Sequence, residues 1–231
     1  MITGQKVWTS LAHVADWCFV LARTDPLAAR HQGLSYLLVP MDQPGIEVRP
    51  IRQLTGTSEF NEVFFDGART DAENIVGAPG DGWRVAMGTL GFERGVATLG
   101  QQVGFERELL AIAAAATASG RGSDPDVRER LGEAFIGLKV LRYMAFQTMG
   151  ADAGVTAASV SKLLWASWHQ RLGELAMDLA GASATLTDGA PYELTAAQRL
   201  FLFTRADTIY GGSHEIQRNI VAERMLGLPR A

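Results

Sequence analysis

The sequence predicts an α+β chain in which an incomplete β-barrel or sandwich precedes a four-helix bundle with one further short helix. Three observations carry that reading. Through residue 75, short apolar or β-branched runs alternate with Pro and Gly punctuation. From about 83 to 226, apolar residues recur three and four apart. Between the two stretches lies the break Gly80-Asp81-Gly82. The predicted division is a partial β-domain over 1–80 and a helical domain over 81–231.

The strand-like runs are Val7-Trp8-Thr9, 17–22, 34–39, Ile46-Glu47-Val48-Arg49 and 61–67. Pro40, Pro44-Gly45, Pro50 and Gly56 supply turns between them. Five short strands leave open edges unless other structure covers them. The first helix is expected to run from Trp83 to about Ser119, through the alanine-rich stretch 111–116. Ser123 and Asp126 resemble a capping box opening the second helix, whose apolar stripe is Val127, Leu131, Ala134, Phe135, Leu138, Leu141 and Ala145. A third helix over about 155–180 carries Val160, Leu163, Leu164, Leu172, Leu175 and Leu179. A fourth over about 196–209 and a fifth over 213–225, stopped by Gly227 and Pro229, complete the bundle.

The 231 residues hold 21 Lys and Arg against 25 Asp and Glu, a net charge of −4. That balance excludes a strongly basic nucleic-acid binder of the usual kind. The single cysteine, Cys18, permits neither an internal disulfide nor a cysteine-based metal site. No apolar run reaches the ~18 residues of a membrane helix, and no secretory leader pattern opens the chain. A cytoplasmic enzyme or enzyme subunit is the expectation.

Several familiar motifs fail. His214-Glu215-Ile216-Gln217-Arg218 places Arg218 where a zinc-binding helix needs its second histidine. Neither Gly181-Ala182-Ser183 nor Gly212-Ser213-His214 is a nucleophile elbow. The 77–82 stretch lacks the dinucleotide fingerprint, and aromatic and basic residues do not interleave as on an RNA-binding sheet.

Three groups remain. Trp8 and Ser10, alternate residues of the first strand, pair an indole able to stack on a flat ring with a hydroxyl able to bond its edge; a core or interface Trp reads equally from the residues. Glu93, in Phe92-Glu93-Arg94-Gly95, is a general base if desolvated, or else half of a rim ion pair with Arg94 or Arg107. Tyr210-Gly211-Gly212-Ser213 is either a phosphate-accepting turn or a plain helix connection, with Ser213 a candidate cap.

Taken in order, these segments resemble the acyl-CoA dehydrogenase family. The matching stretches are Gly4-Gln5-Lys6-Val7-Trp8-Thr9-Ser10 with Ala15-Asp16-Trp17, then 56–66, then Gly82-Trp83. The strongest is Ile209-Tyr210-Gly211-Gly212-Ser213-His214-Glu215-Ile216-Gln217-Arg218-Asn219, followed by Glu223-Arg224. The resemblance spans the chain but only the family's middle β-domain onward, and it is closest in style to actinobacterial enzymes of sterol side-chain breakdown. It implies a partial acyl-CoA dehydrogenase fold, FAD as cofactor and an acyl-CoA substrate. The implied reaction removes the α-proton and transfers a β-hydride to flavin N5, with an electron-transfer flavoprotein or similar acceptor downstream and a homo- or hetero-tetramer as the assembly.

By the same resemblance, Trp8 packs against the flavin and Ser10 bonds near its N5 edge. Ser213 and Glu215 contact the phosphate and ribose region, and Gly181 lies on a loop receiving a neighbouring subunit's FAD. Much of the family carries its base directly after the Tyr of a Tyr-Glu-Gly segment, where this chain has Gly211. A second branch uses the first C-terminal helix, which implies Glu93 as base with Arg94 positioning it. The family's Arg-x-x-Phe-Gly segment is replaced by 119–125, leaving Arg121 as the candidate phosphate contact. The N-terminal domain and initial β-strands are absent from the sequence. A non-catalytic subunit that completes a partner's FAD site therefore stands as an alternative; a flavin monooxygenase is a further one, since such enzymes use the same fold, although the retained Glu93 argues against it.

Overall fold

The computed structural model describes residues 1–149, 155–187 and 193–229, with side chains at all of these except 91–99, 148–149 and 155–157. It divides into two compact units, Met1–Phe92 and Glu93–Ala231.

In the first unit, β1 (Ile2–Ser10), β2 (Trp17–Arg23), β3 (Leu34–Pro40), β4 (Ile46–Ile51) and β5 (Phe60–Ala68) form two open antiparallel sheets. One has the order β1-β5-β4 and the other pairs β2 with β3. Alternation along the strands buries Val20, Leu37, Val39, Val63 and Phe65 in a shared core with Ile2, Ala12 and Ala68. No closed barrel forms among the described residues, in keeping with the incomplete β-domain expected from the sequence.

The helices are α1 (Gly82–Ala118), α2 (Pro125–Met149), α3 (Val155–Ala180), α4 (Ala196–Thr204) and α5 (His214–Ile220). In the second unit α3 packs against α2, α4 and α5. Phe105, Leu109 and Ile112 of α1 join Leu138, Leu141, Trp165, Trp168, Leu172 and Leu175 in one core. Each fully enclosed leucine there contributes about 1.5–3 kcal/mol. Close approach of α2 and α3 depends on Gly137, where a Cβ would collide with the Trp168 indole, whose Nε1 donates to the Ala134 carbonyl at 2.9 Å.

Four local readings are corrected. The cap of α2 is Asp124, not Ser123: its carboxylate accepts the Asp126 N–H at 3.0 Å, and Pro125 takes the first helical position, where its missing N–H costs nothing. Phe135 is 52% exposed and Leu164 43% exposed, off the buried stripes assigned to them, because α2 and α3 bury narrower faces than a spacing rule selects. The helix begun at Ala196 ends at Thr204 and passes into turns, and α5 closes in a π turn over Val221–Met225. Thr195 caps α4 in a reciprocal box with Gln198, whose amide also donates to the Ala184 and Leu186 carbonyls.

Candidate functional site

The first unit presents Trp8 and Ser10 on a distorted strand. Lys6 pairs with Val63 but Thr9 pairs with Asn61, so β1 holds one residue too many and bulges. Trp8 takes φ +62° there, an uncommon conformation for a residue with a side chain, and Leu11 takes φ +54° just beyond. Alternation therefore does not run undisturbed from Trp8 to Ser10. The bulge is braced by the fully buried Asn61, whose amide donates to the Thr9 carbonyl at 3.1 Å. The Trp8 indole meets Phe60 edge-on at 6.0 Å and remains 62% exposed, with Ser10 exposed beside it in sequence. The ring is thus offered to solvent from a backbone conformation rare for a residue with a side chain, and not packed into the core of the β-unit.

In the second unit, Arg121 and the end of α3 come together. The Arg121 guanidinium donates to the Asp178 carbonyl at 2.6 Å, three residues before Gly181, while Arg130 pairs with the Asp178 carboxylate at 2.7 Å. Arg121 thus satisfies a terminal helix carbonyl, which accounts for part of its donor capacity. Gly181 takes φ +59° with open space where a Cβ would stand.

The turn into α5 is the most constrained part of the site. Gly211 and Gly212 take φ +64° and +96°, and a Cβ at 212 would collide with the Gln217 amide, which donates to the Gly211 carbonyl at 2.8 Å. Ser213 is the N-cap of α5, accepting the Ile216 N–H at 3.5 Å. Glu215 is exposed in the first turn, and its own N–H and the Ser213 hydroxyl hold its carboxyl below the usual range. His214 is pushed down, first by burial and then by the Arg218 and Lys162 charges. Its Nε2 is buried with no hydrogen-bond partner among the described residues.

Beneath this turn lies a buried ionic network that sequence reasoning missed. His169 Nδ1 sits 2.6 Å from Asp207 Oδ2, and its Nε2 sits 2.8 Å from Glu108 Oε2. Tyr210 donates its hydroxyl to Asp207 Oδ1 at 2.7 Å, and Lys162 donates to the Asp207 carbonyl. Burial alone disfavours the imidazolium, but the bonds and charges of Asp207 and Glu108 outweigh it and lift His169 to about 9. Burial pushes Lys162 down to about 8 against the pull of Asp207, and pushes the Tyr210 phenol far up. A signal was present in the sequence: Lys162 and His169 lie seven apart in α3, on the face that also carries Trp165 and Leu172.

Glu93 and Arg94 fall within α1, and their side chains lie outside the described residues. The described residues hold no cluster of three metal-ligating side chains, and no helix among them is long and apolar enough to cross a membrane.

Residues 1–68 match the middle-domain model of the acyl-CoA dehydrogenases, and residues 80–226 match their C-terminal-domain model. The chain is 62% identical over 233 residues to acyl-CoA dehydrogenase IpdE1 of Mycobacterium tuberculosis, covering 100% of this chain and 60% of that protein. The chain therefore spans about three-fifths of that relative's length. Among solved structures, the Tcur3481-Tcur3483 steroid ACAD superposes with a TM-score of 0.88 at 26% identity, over 99% of this chain and 61% of that one. The ChsE4-ChsE5 complex from Mycobacterium tuberculosis superposes with a TM-score of 0.83 at 26% identity, over 99% and 61%. With both domain models matched in order and a relative identical at 62% of aligned positions, the chain belongs to the acyl-CoA dehydrogenase family.

Proposed function

We propose that this chain is one component of a two-chain, FAD-dependent acyl-CoA dehydrogenase and completes the FAD site of its partner. The observation that carries the reading is Trp8: an exposed indole held at positive φ by the bulge that Asn61 braces, with the exposed Ser10 beyond it. These residues fit the flat ring and polar edge of a flavin. In the second unit, the two-glycine turn at 211–212 and the unpartnered His214 Nε2 fit a polar, chain-like portion of such a cofactor. Two-chain assembly is supported by the names of the two structural relatives, each of which joins two components.

In this reading Trp8 packs on the ring, Ser10 donates to its edge, and Ser213, Glu215, Arg121 and Gly181 line the approach of the phosphate and ribose portions. Because an ionised Glu215 cannot donate, contact with a phosphate there falls to backbone N–H groups. FAD, when bound, supplies the acceptor for the hydride that leaves the β-carbon of an acyl-CoA thioester. An electron-transfer flavoprotein is the proposed downstream partner, and a mixed tetramer the proposed assembly.

A second reading makes the chain itself catalytic. Glu93 favours it, as the match to the base that a second branch of the family carries on its first C-terminal helix, while Gly211 offers no proton acceptor at the position much of the family uses. The base would then be Glu93, taking the α-proton of the substrate, with Arg94 positioning its carboxylate. One experiment separates the two readings: native mass and flavin absorbance of the chain alone and with each candidate partner, followed by anaerobic flavin reduction with Glu93→Gln. Flavin retained only in the mixed complex supports the first reading, and a yellow, flavin-saturated monomer overturns it. A fall in the reduction rate of roughly 10² to 10⁴ on Glu93→Gln establishes the second, and an unchanged rate removes it.

A further inference from the structure

We propose that Lys162 is the positioning residue of the Tyr210–Gly212 turn: from α3 its ammonium reaches the Asp207 carbonyl, lies over the rings of both Trp165 and Tyr210, and sets the backbone path that leads to Ser213 and Glu215. The distances are 4.0 Å from Nζ to the Trp165 centroid and 4.6 Å to the Tyr210 centroid. The residue is buried. A lysine deprived of water is costly unless its charge is met, and here two aromatic faces and a carbonyl meet it. Nothing separates it from the turn: Cε lies 3.6 Å and Nζ 4.0 Å from the place a Cβ at 211 would take.

The turn is consequently gripped from two sides. Gln217 of α5 holds the Gly211 carbonyl, and Lys162 of α3 supports the residues before it. Tyr210 links the grip to the ionic chain, because its hydroxyl bonds Asp207 Oδ1 while its ring faces the ammonium. Asp207 is in turn anchored through His169 to Glu108 of α1. Loss of the Lys162 ammonium leaves the Asp207 carbonyl without that donor and uncovers the two ring faces it rests on. The helices have their own apolar core, so the effect concentrates on 208–214 rather than on α3.

The inference rests on the FAD reading for its functional sense, but its test contains no flavin. Backbone amide exchange is measured at neutral pH on the whole 231-residue chain, unmodified and with Lys162→Met, Lys162→Arg and the half-buried α2 control Lys139→Met. Lys162→Met is expected to speed exchange over 208–214 by about tenfold or more while residues 165–176 keep their protection. Lys162→Arg, which retains a cation able to stack on aromatic faces, is expected to restore most of it. Lys139→Met changes neither segment. Unchanged exchange over 208–214 in Lys162→Met, or equal acceleration throughout α3, overturns the proposal. A separate FAD titration of the same variants then tests the other reading. A loosened turn with undiminished FAD binding removes the turn's role toward FAD and leaves its positioning by Lys162 intact.

Discussion

His169 Nδ1 lies 2.6 Å from Asp207 Oδ2, and that carboxylate has no solvent-exposed surface. The pair joins α3 to the segment between α4 and α5. Because a lone buried carboxylate is costly, the imidazolium opposite it is a condition for the carboxylate being there.

The first prediction is a pH dependence of stability. His169 is lifted to about 9 from an ordinary 6.5, so its stabilising contribution is complete below 6.5 and fades as pH rises toward 9. Lys162, lowered to about 8 from 10.5, acts in the opposite sense above pH 8, where its buried charge is relieved. Between pH 6.5 and 8 the histidine dominates, and unfolding free energy is expected to fall by about 1.5 kcal/mol. Urea unfolding at fixed protein concentration measures it. A profile in His169→Gln as steep as in the unmodified chain would refute the assignment.

Removing Asp207 is expected to be more damaging than removing any one of its partners. Asp207→Ala strips the acceptor from His169 and Tyr210 together and should cost about 3–5 kcal/mol. Tyr210→Phe removes one charge-assisted bond and should cost about 1.5–3 kcal/mol. Thermal or urea unfolding of both variants tests the order, and the reverse order contradicts the network.

Trp8 should trade little stability for function. Glycine adopts φ +62° without strain, so Trp8→Gly recovers about 1 kcal/mol of backbone strain while losing the edge contact with Phe60. Net stability is expected to stay within about 1 kcal/mol, whereas FAD retention in the assembled complex drops at least tenfold. Full FAD content after gel filtration would remove Trp8 from the flavin surface.

A carboxylate returned to position 211 should not act as a base. The site has φ +64°, and a Cβ there would stand 4.0 Å from the Lys162 ammonium. A glutamate would be strained and paired with a cation, which lowers its proton affinity. In a Glu93→Gln background, Gly211→Glu is expected to restore less than about a tenth of the flavin-reduction rate. Stopped-flow reduction with matched FAD content decides; substantial recovery would show that the cation does not reach that side chain.

The sequence alone determined the order of five strands and five helices, because turn residues, β-branched runs and three-four spacing act over a few residues at a time. It placed α3 over the residues at which the structure shows it, and it singled out Ser213 as the cap of the last helix. Gly211 as a residue without a proton acceptor was equally legible. What only the tertiary structure decided involves partners far apart in the chain. Positive φ at Trp8 is locally unfavourable and arises from pairing with β5 and the support of Asn61, more than fifty residues away. Capping by Asp124 in place of Ser123 turned on where the chain bends before Pro125. The Glu108–His169–Asp207 network required three segments to converge, and a single sequence shows charged residues on an apolar helix face without showing what meets them. Burial makes such groups expensive alone and specific when paired, so their meaning resides in the packing.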